Sequence, residues 1–568
     1  MNENAPWLAH YGNIPHSLEY PDLSMAGLVL RVARENPDSV AYDFFGTCAV
    51  YSELADSIET MADALSDLGI EKGMRVTLCL PNTPQAVIVF YALNLIGAVC
   101  NMIHPLSAQE EIVYYINHSK SVAAVTLDQF YPKFLEVMDR LPIKHLILSG
   151  IADGLSGVKK ALYPLTSGRK IKRVRPGGAV VRYSELMKRT RRERGAEYRS
   201  GGADVAVIMY SGGTTGTPKG IELTNMNFNA LALQTAAAAN CLVPGHKMLA
   251  IMPLFHGFGL GVCIHMAFAA NLVCVLVPQF SADSYAELLQ NHRPHYIAGV
   301  PTLFEALLRI PKASKLDLSS LEGIFSGGDT LTVELKRKVD AFLKERGASV
   351  QVREGYGLTE SVTANCLTPK DTYREGSIGI PHPDTFFKIV ATDTTAEVPH
   401  GTLGEICLRG PSVMKGYLDN PEETGLVLRT HPDGEVWLHT GDLGSMDKEG
   451  FVYFRQRIKR MIVSSGYSIY PSQVENILEK HEAVHLSCVI GVPDAYKKQK
   501  LKAFVILRPG FFPTEETLQS IKSFCEKNIA RYSIPYEFEI RDELPRTVIG
   551  KVAFNILEKE ELEKYENT

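Results

Sequence analysis

Several features that would place a chain of 568 residues in a special class are missing from this sequence. The net charge is only −5, so the charge balance gives no indication of a nucleic-acid partner. Ten cysteines are scattered from Cys48 to Cys525 without a Cys-x-x-Cys pair, which argues against a disulfide framework or a cysteine metal site. The first residues lack the charged and then apolar segments of a secretory signal. The sequence therefore predicts a cytoplasmic protein with reduced thiols.

Long apolar runs are also few. The two candidates for membrane spans are residues 86–102 and 259–278, and the second has roughly the 20 residues that a span requires. It contains His265 and Asn271, however, and it ends in a β-branched run. A buried helix followed by a central parallel strand explains such a stretch, so we predict no membrane-spanning segment.

What is present is the composition of a globular protein, with 45% hydrophobic and 22% charged residues. Up to about residue 450 helical and strand patterns alternate, for example in a helical pattern over Tyr51–Leu68 that Gly69 ends. Beyond it a basic segment precedes a tail with its own strands and helices. We predict an α/β protein with a large N-terminal layered body, residues 1–456, and a small C-terminal α+β domain, residues 457–568.

One stretch departs from this average composition. Between Lys159 and Arg194, thirteen Lys and Arg side chains stand against two acidic ones. A solvated insertion is one interpretation, and a patch attracted to anionic lipid headgroups, giving weak peripheral membrane association, is the other.

The most informative segment is a loop of glycines and threonines between two apolar strand patterns. It contains Ser211, Gly212, Gly213, Thr214, Thr215, Gly216, Thr217, Pro218 and Lys219. Exposed backbone N–H groups, hydroxyls and one ammonium are the groups that hold phosphates. The P-loop pattern fails, because a lysine and a hydroxyl residue do not directly follow the second glycine. An ordinary surface loop is the alternative interpretation.

Four further segments combine glycines with aromatic or polar side chains. They are residues 354–360, which contain Tyr356, Gly357, Thr359 and Glu360; 326–329, with Gly328 and Asp329; 437–442, which end in Asp442; and 252–259, with His256. Aromatic rings suit base stacking, and carboxylates suit Mg²⁺ or ribose hydroxyls.

In this order and spacing, the motifs resemble the adenylate-forming superfamily, which includes acyl-CoA synthetases, luciferases and peptide-synthetase adenylation domains. The resemblance extends from about Leu23 to Leu557. It implies that the small C-terminal domain is mobile. It also implies an ATP- and Mg²⁺-dependent ligase that activates a carboxylic acid as acyl-AMP and transfers the acyl group to CoA.

The resemblance assigns roles to individual residues. Nucleotide binding is implied for Ser211, Gly212, Gly213, Thr214, Thr215, Gly216, Thr217, Lys219, Gly328, Asp329, Tyr356, Gly357, Thr359, Asp442, Arg457 and Lys551. Catalytic roles are implied for Lys551, Lys219, Thr359 and Glu360, and Mg²⁺ binding for Glu360 and Thr214. The acid would contact His256 and Gly328, the thiol tunnel would include Ser465, Gly466 and Tyr467, and Lys459 would be the hinge.

Some of these residues also have ordinary structural interpretations. Lys551 could be a surface lysine in a turn, His256 a core histidine, Glu360 a residue near a helix N-terminus and Asp442 a turn residue. The sequence also departs from the family pattern: Gln456 replaces a glycine, Ile549 a serine, and residues 552–555 a commonly basic segment.

We interpret the chain as an acyl-CoA synthetase for a hydrophobic acid, with medium- to long-chain fatty acids favoured by the N-terminal residues and the basic stretch. Amino-acid activation is disfavoured, since His256 stands where peptide-synthetase domains carry an aspartate. The alternatives are an acyl-AMP ligase that loads a carrier protein, an oxygenase of the same fold, and a non-catalytic relative, against which the intact Lys219, Glu360, Arg457 and Lys551 argue. Chain-length preference and oligomeric state are not specified by the sequence.

Overall fold

The computed structural model describes residues 5–163, 178–188, 200–211, 218–310, 316–464, 467–469, 471–494, 498–529, 533–546 and 552–566. The chain forms two compact units. The first consists of Met1–Phe387, Leu408–Leu438 and Glu449–Phe451, and the second of Lys388–Cys407, His439–Lys448 and Val452–Thr568.

The helices of the described residues are α1 (Met25–Glu35), α2 (Tyr51–Asp67), α3 (Pro84–Leu95), α4 (Gln109–Ser119), α5 (Tyr131–Leu135), α6 (Gly157–Leu162), α7 (Tyr183–Leu186), α8 (Asn225–Ala239), α9 (Met266–Ala269), α10 (Ala282–His292), α11 (Pro301–Arg309), α12 (Val333–Glu345), α13 (Pro421–Val427), α14 (Pro471–Leu478), α15 (Glu515–Asn528) and α16 (Phe554–Glu566). A π-helical segment, Phe258–His265, leads directly into α9.

The strands are β1 (Val40–Phe44), β2 (Thr47–Val50), β3 (Arg75–Cys79), β4 (Val99–Met102), β5 (Ala123–Leu127), β6 (His145–Ser149), β7 (Val180–Arg182), β8 (Val205–Ser211), β9 (Lys219–Thr224), β10 (Lys247–Ala250), β11 (Val273–Leu276), β12 (Tyr296–Gly299), β13 (Gly323–Ser326), β14 (Val352–Tyr356), β15 (Cys366–Leu367), β16 (Ile380–Pro381), β17 (Phe386–Val390), β18 (Gly404–Arg409), β19 (Gly416–Tyr417), β20 (Leu428–Thr430), β21 (Val436–Met446), β22 (Val452–Arg457), β23 (Ile462–Ser464), β24 (Tyr467–Ile469), β25 (Val484–Asp494), β26 (Lys498–Leu507) and β27 (Glu537–Ile540).

Two large mixed sheets form the first unit. One has the strand order β16-β15-β14-β13-β12-β10-β11-β1-β2, and the other β19-β9-β8-β4-β3-β5-β6-β7. The pairs from β11 through β10, β12 and β13 to β14 are all parallel, so the carboxyl ends of these strands meet at one edge. Ligands of α/β proteins bind at such an edge, and the motifs of residues 252–259, 326–329 and 354–360 all follow strands that end there.

The prediction of a buried helix and strand is confirmed for both apolar stretches. Residues 86–102 form most of α3 and all of β4, in which every side chain is buried. Residues 259–278 form the π-helical segment, α9 and the buried β11. Within the described ranges, no helix is both long and apolar enough to cross a membrane.

The predicted helix at Tyr51–Leu68 is confirmed as α2. Its apolar residues, spaced three to four apart, point to one side and are buried, among them Leu54, Ile58 and Leu65. Gly69 adopts a φ of +79°, and the next N–H, of Ile70, donates to the carbonyl of Leu65. A left-handed residue in this position closes a helix C-terminus, which explains the glycine.

The second unit contains a three-stranded sheet of β25, β26 and β27 with α14, α15 and α16 around it, and a hairpin of β23 and β24. A fifth sheet has the order β17-β18-β21-β20, with β22 on β21. Lys502, 4% exposed, lies 2.7–2.9 Å from carboxylates of Glu537, Glu539 and Glu561. This ion cluster fastens α16 to the sheet. All ten cysteines lie in described residues and are free thiols.

Candidate functional site

The glycine- and threonine-rich loop connects two antiparallel strands. Ser211, the last residue of β8, is opposite Lys219, the first residue of β9. The backbone carbonyl of Pro218 accepts a hydrogen bond from the Tyr114 hydroxyl at 2.8 Å. Residues 212–217, which include the predicted phosphate ligands and Thr214, lie outside the described residues.

The side chain of Tyr417 contacts both Lys219 and Glu360. The sequence predicts Lys219 as a cation that binds phosphate and Glu360 as a metal ligand. The Lys219 ammonium lies 5.1 Å from the ring centre of Tyr417. The Tyr417 hydroxyl donates to Glu360 Oε1 at 3.0 Å. Lys219 Nζ also lies 2.5 Å from Glu423 Oε2, so the ammonium forms an ion pair with this carboxylate. Tyr417 therefore contacts the Lys219 ammonium through its ring and the Glu360 carboxylate through its hydroxyl.

Sequence reasoning missed Tyr417 and Glu423. Asn420 caps α13 by accepting from the backbone N–H of Glu423, and Pro421 occupies the first turn, so a helix start could have been predicted there. That signal does not show which side chain Glu423 faces, because its partner Lys219 lies 204 residues away.

The backbone around Glu360 is an unusual turn. Thr359–Ser361 form one 3₁₀ turn, followed by Val362 and Thr363 at φ values of +55° and +71°. Left-handed conformations of β-branched residues are strained, at roughly 1–3 kcal/mol each. The turn is held by the Thr363 N–H, which donates to the Leu358 carbonyl at 2.8 Å. Glu360 therefore lies in the first turn of a short 3₁₀ helix rather than of an α-helix.

Tyr356 is the last residue of β14, and Gly328 follows the neighbouring parallel strand β13, in which Ser326 is opposite Glu354. Gly328 has a φ of +79°, and Asp329 is exposed, its Oδ1 accepting from the N–H of Thr330. Gly357 is tightly enclosed: a Cβ there would lie 2.5 Å from the carbonyl carbon of Thr363. A glycine is therefore required where this motif crosses the strained turn.

Burial shifts the pKa of Glu354, which lies in the same strand, β14, as Tyr356. Burial raises the pKa of Glu354 to about 7, against the opposing effect of Lys336, and Asp340 adds to the rise. Glu354 is the first residue of the segment 354–360 and is 8% exposed.

His256 lies at the start of the π-helical segment. Its Nδ1 accepts from the backbone N–H of Phe258 at 3.2 Å, and the residue is partly exposed rather than buried in the core. The ring of the adjacent Phe255 lies 4.5 Å from that of His104. The interpretation of His256 as a core histidine is therefore wrong, although the ring does satisfy a backbone donor.

Sequence reasoning also missed Asn82, which fixes the loop that carries His256. Its amide donates to the carbonyls of Ala250 and Met252 at 2.9 and 2.8 Å, and its Oδ1 accepts from the N–H of Leu254. Asn82 is 2% exposed. A buried amide with its bonds made to one loop determines the conformation of that loop.

The second unit brings together the two residues predicted to bind ribose. Asp442 in β21 is opposite Arg457 in β22, and Arg457 Nε lies 2.9 Å from Asp442 Oδ1. The Asp442 side chain is 3% exposed, whereas that of Arg457 is 55% exposed. Asp442 is part of a strand, so the alternative of a turn residue is wrong. Lys459 is exposed in the 3₁₀ turn Ile458–Arg460.

Other predicted positions of this unit are only partly described. The backbone of Tyr467 pairs with Ser464 in the β23–β24 hairpin. Ser465, Gly466 and Lys551 lie outside the described residues. The chain on either side of residues 547–551 is paired through a bridge of Arg546 with Val552, and Ala553 N–H donates to the Pro545 carbonyl at 2.8 Å.

Two family models match this chain: that of the AMP-binding enzymes over residues 29–418, and that of the AMP-binding enzyme C-terminal domain over residues 473–551. The first covers more than half of the sequence. The chain belongs to the AMP-binding enzyme family. It has the adenylate-forming fold, with a large N-terminal body and a small C-terminal domain, as the sequence predicted.

Relatives with curated names are similar over their whole length. A protein of Bacillus subtilis named long-chain-fatty-acid–CoA ligase is 35% identical over 577 residues, 100% of each chain. One of the same name from Escherichia coli is 30% identical over 572 residues, 99% of each. The crystal structure of ATP-bound MatB from Rhodopseudomonas palustris has a TM-score of 0.82 and 25% identity, covering 95% of this chain and 99% of that one. This AMP-binding enzyme is therefore an acid–CoA ligase.

Proposed function

We propose that this enzyme activates a medium- to long-chain fatty acid and transfers it to CoA, releasing AMP and pyrophosphate. The observation that carries this proposal is the end-to-end similarity, at 35% identity, to a protein named for that activity. The site supports it, because Lys219 and Glu360 stand on either side of one phenol in the first unit.

The chemistry begins with an unreactive anion. A carboxylate oxygen attacks the α-phosphorus of ATP, a new P–O bond forms, and the bond to pyrophosphate breaks. Negative charge develops on the phosphates, so positioned cations are the main source of catalysis. We assign Lys219 to the phosphates of the leaving group and Lys551 to the α-phosphate and the acyl carboxylate. Tyr356 would stack on adenine, with Gly328 and Asp329 beside it.

The residues present fit a magnesium ion. Glu360 offers a partly exposed carboxylate, and the hydrogen bond that its Oε1 accepts from Tyr417 leaves lone pairs for a cation. Mg²⁺ prefers one or two carboxylates together with phosphate oxygens and water. Bound there, the ion would neutralise charge on the phosphates. Thr359 would contact the α-phosphate.

In the second half-reaction the CoA thiol attacks the acyl carbonyl, a thioester forms, and AMP leaves. We assign Asp442 and Arg457 to the ribose hydroxyls, Lys459 to the hinge, and the Ser465–Tyr467 turn to the thiol tunnel. Movement at Lys459 would remove Lys551 after the first step, so one site would serve both.

A fatty acid is poorly soluble, and the basic stretch provides a route by which a bilayer could supply it. Lys159 and Lys160 lie on α6, next to Val158 and Leu162, which are 73% and 48% exposed. Exposed apolar side chains among lysines are typical of interfacial helices. We therefore propose weak association with anionic membranes through residues 159–194.

The decisive experiment measures pyrophosphate release with acids from acetate to palmitate and with aryl acids, each with and without CoA. Acyl-CoA formation that rises with chain length supports the proposal. Stable acyl-AMP that CoA does not consume indicates a carrier-protein ligase, and oxygen consumption indicates an oxygenase. Lys219→Ala should abolish pyrophosphate release, whereas Lys415→Ala, a change of an exposed lysine, is the matched control.

Membrane association has its own measurement. Cosedimentation with anionic vesicles should fall steeply with added salt, since each Lys or Arg near the surface contributes about 1 kcal/mol and is screened. Neutralising Arg169, Lys170, Lys172 and Arg173 should remove it. Equal binding to neutral vesicles would contradict the proposal.

A further inference from the structure

The turn that carries the predicted hinge ends at Arg460, and this side chain packs inside the second unit, to which the turn belongs. Its guanidinium carbon lies 5.0 Å from the ring centre of Phe554. It forms an ion pair with Glu475 of α14, and its Nη2 lies 3.6 Å from Cys488 Sγ. Only 19% of the side chain is exposed. Arg460 thus connects the hinge turn to three separate elements.

Phe554 begins α16 and follows Lys551 by three residues. It packs on a small core of the second unit that includes Leu544, and Val552 packs on the same core. Because Arg546 pairs with Val552, the residues on both sides of Lys551 are attached to this core. The ring that Arg460 covers therefore belongs to the described residues that directly follow Lys551.

We propose that Arg460 is a positioning residue for Lys551, acting through its stacking on Phe554. The proposal rests on the proposed function, because it takes Lys551 as the lysine of the adenylation step. It also explains why an aromatic residue stands at 554, where the segment after the lysine is commonly basic: a ring accepts a cation that a second cation would repel.

Arginine suits this position better than lysine. Its planar guanidinium can stack on a ring while its edge donates to a carboxylate, which a lysine ammonium cannot do. The carboxylate of Glu475 fixes that edge, since it also accepts from the backbone N–H of Val489 at 2.7 Å. Glu558, one turn further along α16, also interacts electrostatically with the guanidinium. Arg460 therefore holds α16 at its first turn.

The first test compares the two half-reactions. Phe554→Leu keeps an apolar side chain and the Arg460–Glu475 ion pair but removes the ring, so the unit should still fold. Adenylation is expected to fall about tenfold, with thioester formation from supplied acyl-AMP unchanged. Phe554→Tyr should adenylate at the wild-type rate, because it keeps an aromatic ring at this position. Leu562→Ala, on an exposed position of α16, is the control.

The second test needs no substrate. Trypsin cleaves after arginine and lysine, so nicking at Arg546 and Lys551 in the full-length protein reports on how accessible these two positions are to the protease. Phe554→Leu and Arg460→Lys should each accelerate this nicking, and the double variant should be no faster than the single ones. Wild-type rates of nicking and adenylation in Phe554→Leu would overturn the proposal. A wild-type enzyme that adenylates no acid would refute the proposed function instead, while the nicking rates would still test the contact.

Discussion

Two substitutions of Tyr417 can separate the role of its hydroxyl, which contacts Glu360, from that of its ring, which contacts Lys219. Tyr417→Phe removes the hydroxyl that donates to Glu360 at 3.0 Å and keeps the ring over which the Lys219 ammonium lies. Tyr417→Leu removes both contacts. The pair of variants therefore distinguishes orientation of the carboxylate from placement of the lysine.

The size of the effect follows from the environment of the bond. A hydrogen bond to a charged group contributes about 1.5–3 kcal/mol when it is buried. Tyr417 is 9% exposed, but Glu360 is partly exposed, so water can replace part of the lost bond. We therefore expect the lower end, about 1.5 kcal/mol, which is about tenfold in an equilibrium constant.

The assay is fatty acid-dependent exchange of pyrophosphate into ATP, measured over a range of Mg²⁺ at saturating ATP and of ATP at saturating Mg²⁺. Tyr417→Phe should raise the Mg²⁺ concentration for half-maximal rate about tenfold and change the ATP dependence little. Tyr417→Leu should weaken both. Tyr453→Phe, which removes a similar hydrogen bond to Asp447, is the control. If Tyr417→Phe leaves the Mg²⁺ dependence unchanged, then Glu360 is not held by Tyr417 for metal binding.

Four further variants test the proposed catalytic lysine, the proposed hinge, a buried carboxyl and a buried ion cluster. Lys551→Ala should slow adenylation about 10²–10³-fold and spare thioester formation from supplied acyl-AMP, since it removes one positioned charge; equal losses in both half-reactions would contradict the two-step use of one site. Lys459→Pro should spare adenylation and slow thioester formation, because proline fixes φ at the proposed hinge. Normal rates of both half-reactions would place the hinge elsewhere. Glu354→Gln should leave the thermal midpoint unchanged near pH 4 and raise it relative to wild type at pH 8. The folded pKa of about 7 exceeds the ordinary value of 4.5, so the stability that this carboxyl contributes is fully present only below pH 4.5 and is lost as pH rises through 7. A pH-independent difference would refute that reasoning. Lys502→Met should destabilise the second unit in urea by about 2–3 kcal/mol, because three carboxylates lose their shared cation, and the loss should shrink at acidic pH as they become protonated.

The elements that the sequence predicted are those whose signal is local. The predicted helix over Tyr51–Leu68 is α2, which ends one residue earlier, at Asp67. Periodicity of apolar residues and a closing glycine are properties of a short window. The π-helical segment could not be predicted in this way, because it differs from an α-helix only by one residue per hydrogen-bonded turn.

The parts of the site that the sequence left undetected depend on distant partners. Tyr417 meets Glu360 across 57 residues, and Asn82 meets the carbonyl of Met252 across 170. Motif reasoning singled out Lys219 and Glu360 as candidate site residues, each within its own segment. It could not show that one phenol joins them, since the sheet order that brings β19 beside β9 is fixed by the whole fold.

Phe554 shows why a departure from a family pattern cannot be interpreted from one position alone. Taken singly, an aromatic residue in a commonly basic segment suggests a lost contact. The structure places an arginine against it, so the ring gains a contact that a basic residue would have prevented. If the pair acts together, each single change removes the same interaction, and the double change costs no more than either one. Such non-additivity would be absent if Phe554 only filled space in the core.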